Sequence, residues 1–229
     1  MDLTVQISQE PVSLLSAGIT AVAALVGAAL GVLLKHWLEG RNRRAREREE
    51  LVQRYLFQLQ DAVDSLWYRL DNLKNQGGGS VMSDDYREVA TLYAFGRVLA
   101  IERIMLMRGV YPQIRNRYRT LGEFLMKERL DLQLTGLDFH QYHRIALAET
   151  AVDREEQLLR TGTFLDFQQR CNQKEWPGQK SLQAARTLLV IPEERVNQLL
   201  GWFKEISYRL EEVTKLPSAI KGAGTSRQL

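Results

Sequence analysis

The run Val12–Leu34, VSLLSAGITAVAALVGAALGVLL, holds 23 residues without a charge. As an α-helix it would measure about 34 Å, enough to cross a hydrocarbon core of about 30 Å. It has no polar face to turn toward water, which argues against a helix lying on a soluble core. The sequence therefore predicts one membrane-spanning helix near the N-terminus, over residues 12–38. A cleaved leader fits poorly: it would carry a basic n-region and an apolar core of about 7–15 residues. Here Asp2 and Glu10 precede the run and the basic residues follow it.

Those basic residues set the expected orientation. Lys35, Arg41, Arg43, Arg44, Arg46 and Arg48 face only Glu39 and Glu47 over the same stretch. The positive-inside rule places this side in the cytoplasm and residues 1–11 in the opposite compartment. His36 and Trp37 fall where interfacial groups sit, and Lys35 can snorkel. Within the span, Ala23, Gly27 and Gly31 form a stripe of small residues that lets two helices approach closely. A homo-oligomer or a membrane-protein complex is the expectation. A second use of the Arg41–Arg48 cluster would be to sense anionic lipid.

The formal net charge is +3, and +5 once the two N-terminal acids are set aside. Most of that excess lies in the arginine cluster, which leaves the remainder nearly neutral. No basic stripe marks the folded part, so no nucleic-acid partner is expected despite a pI near 9.0. A single cysteine, Cys171, excludes a disulfide within the chain and fits a reducing compartment. It reads as an inert thiol.

After the span the chain reads as helical throughout. Val52, Tyr55, Leu56, Leu59, Ala62, Val63, Leu66, Leu70 and Leu73 recur at helical spacing, and only Gly40 interrupts the stretch from Leu34 to Asn75. Asn75–Ser80 is a loop. Ser83, with Asp84 and Asp85, starts a helix to about Arg108 that Gly109 stops. Pro112 opens a helix to about Leu130. Gly136 breaks the chain, and Asp138 caps a helix from Phe139 to about Leu159. Thr163 and Asp166 form a capping box for a short helix to Cys171. A weaker helix covers Ser181–Val190. Pro192, Glu193 and Glu194 start the last long helix, which Pro217 ends. No segment alternates like a strand. The fold class is all-α: one N-terminal transmembrane helix, then a cytoplasmic helical bundle over residues 39–216 that begins with a long membrane-proximal helix. Residues 217–229 have little to bury and read as a disordered tail.

Motifs for chemistry are missing. The chain contains no GxxxxGK[ST], GxGxxG, GxSxG or HExxH. His140 and His143 share a helix face and could hold a metal with Glu149, but the Glu-x-x-His pattern of di-iron proteins is lacking. A membrane-bound metal protein or enzyme built on these histidines is thus an alternative, and no catalytic, cofactor-binding or metal residue is assigned. The best buried polar candidates are Arg69 and Asn72 at the end of the first long helix and Glu102 and Arg103 in the second. They could pair across the bundle, with Arg69, Asn72 and Glu102 forming a buried network.

The segments Leu66–Leu73 (LWYRLDNL), Thr91–Arg97 (TLYAFGR) and Glu102-Arg103 together resemble a loose set of bacterial helical proteins with the pattern RLxN(I/L)…TLYxFGxxxAxxE. The set has no established activity, so the resemblance implies a bacterial source, hence an inner membrane, and no mechanism. The function expected is a membrane-anchored, non-enzymatic scaffold, adaptor or accessory subunit that acts through helix–helix contacts. No small-molecule partner is identifiable from the sequence.

Overall fold

The computed structural model describes residues 10–75, 84–135, 137, 139–155, 158–173 and 183–220, with the side chains of the first helix described from Leu30 onward. The chain divides into two units, Met1–Glu49 and Glu50–Leu229. Helix α1 (Glu10–Asn75) contributes to both. The second unit continues with α2 (Asp84–Met107), α3 (Val110–Arg117), α4 (Arg119–Lys127), α5 (Leu130–Gln133) and α6 (Gln141–Thr150). A hairpin, β1 (Val152–Glu155) and β2 (Leu158–Thr161), leads to α7 (Phe164–Asn172). A 3-10 turn (Arg186–Leu189) and α8 (Glu193–Thr214) complete it. The fold is all-α apart from the hairpin and one isolated bridge between Thr135 and Leu137, among the described residues.

The helical periodicity of α1 becomes its buried face. Val52, Tyr55, Leu56, Leu59, Ala62, Val63, Leu66 and Leu70 are all buried in the second unit. Helix α2 is different, because five consecutive residues, Val98–Glu102, are all buried. At 3.6 residues per turn they cover the whole circumference, so α2 is the central helix. It packs against α3, α5, α6, α7, β2 and the 3-10 turn. Gly96 permits the approach of α6: a Cβ there would stand 3.1 Å from the Leu147 carbonyl oxygen and 3.3 Å from Ala151 Cβ.

Three local expectations are corrected. The helix expected from Pro112 to Leu130 breaks at Tyr118, whose φ −126° and ψ 73° lie outside helical space. The break folds α4 back on α3, and Gly122 then lies so close to the backbone of Arg115 that a Cβ would clash. The helix expected to reach Leu159 stops at Thr150. Arg170 accounts for that end, donating from Nη1 to the carbonyls of Thr150, at 2.9 Å, and Val152. The chain then turns into the antiparallel pair Val152↔Thr161 to Glu155↔Leu158, which the Gly162 N–H extends by donating to Ala151 O at 2.8 Å. Asp138 and Gly136 lie outside the described residues, and His140 stands at the N-cap position of α6. Within Ser181–Val190 the structure has helix at 183–185 followed by the 3-10 turn.

The third correction concerns the C-terminus. Lys215 ends α8 in the left-handed region at φ 61°, and Pro217 follows two residues on. The chain beyond does not float: Ser218 and Ile220 are each 4% exposed. Asp64 of α1 accepts from Ser207 Oγ at 2.5 Å and from the Ala219 N–H at 2.9 Å, and Ser207 hydrogen-bonds Ser218 Oγ at 2.7 Å. Beside it, Gln60 donates to Leu216 O at 3.0 Å and accepts from Thr214 Oγ1 at 2.6 Å. Residues 221–229 lie outside the described residues.

Two substitutions test these contacts. Gly122→Ala should cost roughly 1–3 kcal/mol, because backbone rather than a flexible side chain blocks the new methyl, and a urea melt should show a lower midpoint at unchanged slope. Asp64→Ala leaves the Ala219 N–H and the Ser207 hydroxyl without their acceptor, at roughly 1–3 kcal/mol. Asp64→Asn keeps one carbonyl oxygen and should lose less in the same melt.

Candidate functional site

Two places in the molecule bear on function, one in each unit. In the first, the described side chains of α1 begin with Leu30, Val32, Leu33, Leu34, Trp37 and Leu38, each between 48% and 69% exposed. At 100° per residue these positions are spread round most of the helix. Arg41 stacks over Trp37 at 5.6 Å, and Lys35–Glu39 and Arg43–Glu47 are i,i+4 pairs at 4.0 and 2.9 Å. Arg44, Arg46 and Arg48 are exposed on the same stretch. Among the described residues no helix is long and apolar enough to cross a membrane. The side chains of 12–29, including Ala23 and Gly27 of the small-residue stripe, lie outside them. Gly31 is described, and a Cβ there would meet nothing within 4 Å.

The expected polar network resolves into separate contacts. Arg69 donates from Nε to Thr91 Oγ1 at 3.0 Å and from Nη2 to Arg87 O at 2.7 Å, which ties α1 to the start of α2. Asn72 is exposed. Glu102 is buried far from that pair, at 4% exposure, against the start of α5. Its neighbour Arg103 pairs with Glu149 of α6 at 2.9 Å, so the α2–α6 interface carries one of the cross-bundle pairings.

Glu102 is the most perturbed carboxyl with a defined environment. Oε1 accepts from the Leu130 N–H at 2.8 Å and Oε2 from the Asp131 N–H at 3.4 Å. A helix leaves its first N–H groups without internal partners, and no side chain of its own caps α5. Glu102 supplies that cap from another helix. Burial pushes its carboxyl up to about 8, against the opposing pull of the two N–H groups and the Arg129 guanidinium. Glu102 is therefore protonated near neutral pH. It opens on a cleft of about 150 Å³ whose charged walls are Arg103, Arg129, Asp131 and Arg144. Arg144 donates to Asp131 Oδ1 at 2.8 Å and to the Phe139 carbonyl at 2.9 Å. Arg129 Nε is buried without a hydrogen-bond partner among the described residues.

Sequence reading named Glu102 as a buried polar candidate for pairing across the bundle but placed no carboxylate where its pKa would be raised; the burial that raises this one comes from the surrounding elements. The same reading missed Arg129, Asp131 and Arg144, which reach the cleft from two other elements and share no period with Glu102.

The rings of His140 and His143 face each other at the start of α6. His143 is buried and its ring lies 3.8 Å from that of Tyr142 and 6.2 Å from those of Phe139 and His140. Glu149, the carboxylate expected beside them, is engaged by Arg103. Among the described residues no group of three or more His, Cys, Asp or Glu could hold a metal ion. Cys171 is half-buried, and burial, then the charge of Glu88, pushes its thiol up to about 11, which suits an inert thiol. In comparisons with known families, curated proteins and solved structures, no family model, protein or structure matches this chain.

The Glu102 carboxyl makes a signed prediction. Its folded value, about 8, lies above the ordinary 4.5. The folded state therefore holds a proton that the unfolded state has released across that window. Stability from this group is complete at low pH and is lost as pH rises through about 8, with a slope of up to about 1.4 kcal/mol per pH unit. Glu102→Gln should flatten that part of the profile while its amide oxygen still accepts from Leu130. Urea melts of both proteins between pH 5 and pH 9 read the difference directly, and parallel profiles would refute the assignment.

Proposed function

We propose that this protein is a single-pass membrane-anchored scaffold or accessory subunit, with residues 1–11 outside, the helix of residues 12–38 in the bilayer and the second unit in the cytoplasm. The observation that carries this reading is the exposed apolar run of α1. Leu30, Val32, Leu33 and Leu34 turn in different directions on one helix, and each is more than half exposed. Such a surface needs an apolar surrounding on every side, which lipid supplies and a single protein groove does not. The uncharged sequence from Val12 to Ala29 continues the same character toward the N-terminus. On the other flank, Trp37 with Arg41 over its ring forms a pair suited to the headgroup layer.

Function through contact rather than chemistry is the better supported role. Most charged side chains of the second unit that the structure pairs are engaged with one another between helices, as in Arg103–Glu149 and Arg144–Asp131. Association in the membrane would run through Ala23, Gly27 and Gly31, whose lack of bulk permits close helix contact.

The full-length protein should stay in the membrane pellet after alkaline carbonate and be released by detergent. Ala23→Arg places a charge at the middle of the span, at roughly 2.5–3.5 kcal/mol of insertion free energy, and should shift the chain to the soluble or aggregated fraction. Intact-mass measurement in mild detergent should show an assembly that Gly27→Leu with Gly31→Leu dissociates. Release of the unaltered chain by carbonate alone would overturn the anchor, and a monomer in mild detergent would overturn the association.

A further inference from the structure

The cleft beside Glu102 carries an inference independent of the membrane reading. Three arginines line it, and two are already answered: Arg103 by Glu149 at 2.9 Å and Arg144 by Asp131 at 2.8 Å. Arg129 remains, with Nε buried and unpartnered among the described residues, while Glu102, close enough to feel its charge, is turned toward the N–H groups of Leu130 and Asp131. A guanidinium nitrogen in this position forgoes a charge-assisted hydrogen bond. The remaining lining is Leu99 and Leu106 of α2 and Ile145 and Ala148 of α6, which are apolar, and Gln141 at the start of α6. A cavity of about 150 Å³ accommodates a ligand of roughly six heavy atoms.

We propose that this cleft binds a small monocarboxylate, its carboxylate on Arg129 and its short apolar tail against Leu99, Ile145 and Ala148, and that binding requires a protonated Glu102. A carboxylate oxygen would supply the acceptor that the buried Arg129 Nε lacks. A protonated Glu102 can donate to the incoming carboxylate, whereas an ionised one repels it and answers Arg129 itself. The charged and titratable groups around Glu102 are Tyr111 from α3, Arg129 and Asp131 at the start of α5, Arg103 on its own helix and Arg144 from α6. Asp131 and Arg144 are paired with each other, and burial raises the Tyr111 hydroxyl well above its usual range, so it stays neutral. Glu102 is the member of this set whose charge changes near neutral pH.

The probe is sodium butyrate, which has six heavy atoms, titrated calorimetrically into the full-length protein in a mild non-ionic detergent at constant ionic strength. Saturable binding with a dissociation constant of about 1 mM or tighter is expected at pH 6.5. At pH 9.5 it should weaken about tenfold or more, as expected when one charge-assisted hydrogen bond is lost. Butylammonium, with the same four-carbon chain, one heavy atom fewer and the opposite charge, should not bind, and inorganic phosphate should not compete. Arg129→Lys should weaken butyrate binding about tenfold at pH 6.5. Glu102→Gln should retain binding and remove its pH dependence; should that variant fail to fold, the two-pH comparison on the unaltered protein decides. No saturation with butyrate, equal binding of butylammonium, competition by phosphate, or an affinity indifferent to pH would each overturn the proposal. None of these readings depends on whether α1 spans a membrane.

Discussion

The carboxyl of Glu102 and the N–H groups of Leu130 and Asp131 form the contact on which the interior of the second unit depends. Over Val98–Glu102 helix α2 is buried round its whole circumference, so a polar group there must find its partners inside the protein. Helix α5 is only four residues long and has no side-chain cap of its own. Each defect repairs the other. The carboxyl takes up N–H groups that α5 would leave orphaned, and those groups lower the cost of burying the carboxyl. Leu130 and Leu134, at either end of this turn, can then be fully buried without leaving backbone unsatisfied. The raised carboxyl shows that the balance is incomplete: burial outweighs two hydrogen bonds and a nearby guanidinium, and the group is retained in its neutral form.

A second buried carboxyl meets the same physical problem with different means. Asp64 lies in the apolar stripe of α1, and burial raises it too, although the Ser207 hydroxyl and the Ala219 N–H pull the other way. What Asp64 organises is the chain after α8. Its two oxygens, with Gln60 one turn earlier, collect Ser207, Thr214, Leu216 and Ala219 onto one face of α1. The C-terminal segment through Ile220 is thereby ordered by polar contacts rather than by its own hydrophobicity, which is slight. Over residues 217–220 the expectation of a loose tail failed for this reason. Composition measures what a segment can bury, and says nothing of the acceptors another helix holds out to it.

What could be read from the sequence follows the same division. The long helices α1 and α8 were legible where each buries a periodic stripe in the second unit, α2 by its uninterrupted length up to the stop at Gly109, and the Thr163–Asp166 capping box because both partners lie within one turn and both bonds form. The break at Tyr118 and the end of α6 at Thr150 were not. The first depends on Gly122 meeting the backbone of Arg115, the second on Arg170 reaching back for two carbonyls. Both are contacts between turns of chain that no local pattern announces. Of the cleft, Glu102 was named only as a buried polar candidate, without its raised carboxyl. Arg129 and Arg144 were not named, since an arginine on an exposed face and one lining a cleft look identical in sequence.

Within α1 one helix obeys two different rules. From Val52 to Leu70 the apolar residues at helical period are buried, while Phe57, Asp61 and Ser65 between them stay exposed. From Leu30 to Leu38 the apolar residues ignore the period and are exposed on several faces. Amphipathicity is the signature of a helix lying between a core and water, and its loss here is what the proposed membrane reading rests on. The switch coincides with the richest run of positive charge in the chain, Arg41 to Arg48, where the helix changes from one pattern to the other. Charge at such a point does two things at once. It resists being drawn into hydrocarbon, and it keeps the exposed turns soluble through i,i+4 pairs such as Arg43–Glu47, each worth only a few tenths of a kcal/mol. The small size of those pair energies means the cluster adds little to folding. Its physical role, on the proposed reading, is to fix where along α1 the lipid-facing pattern must stop.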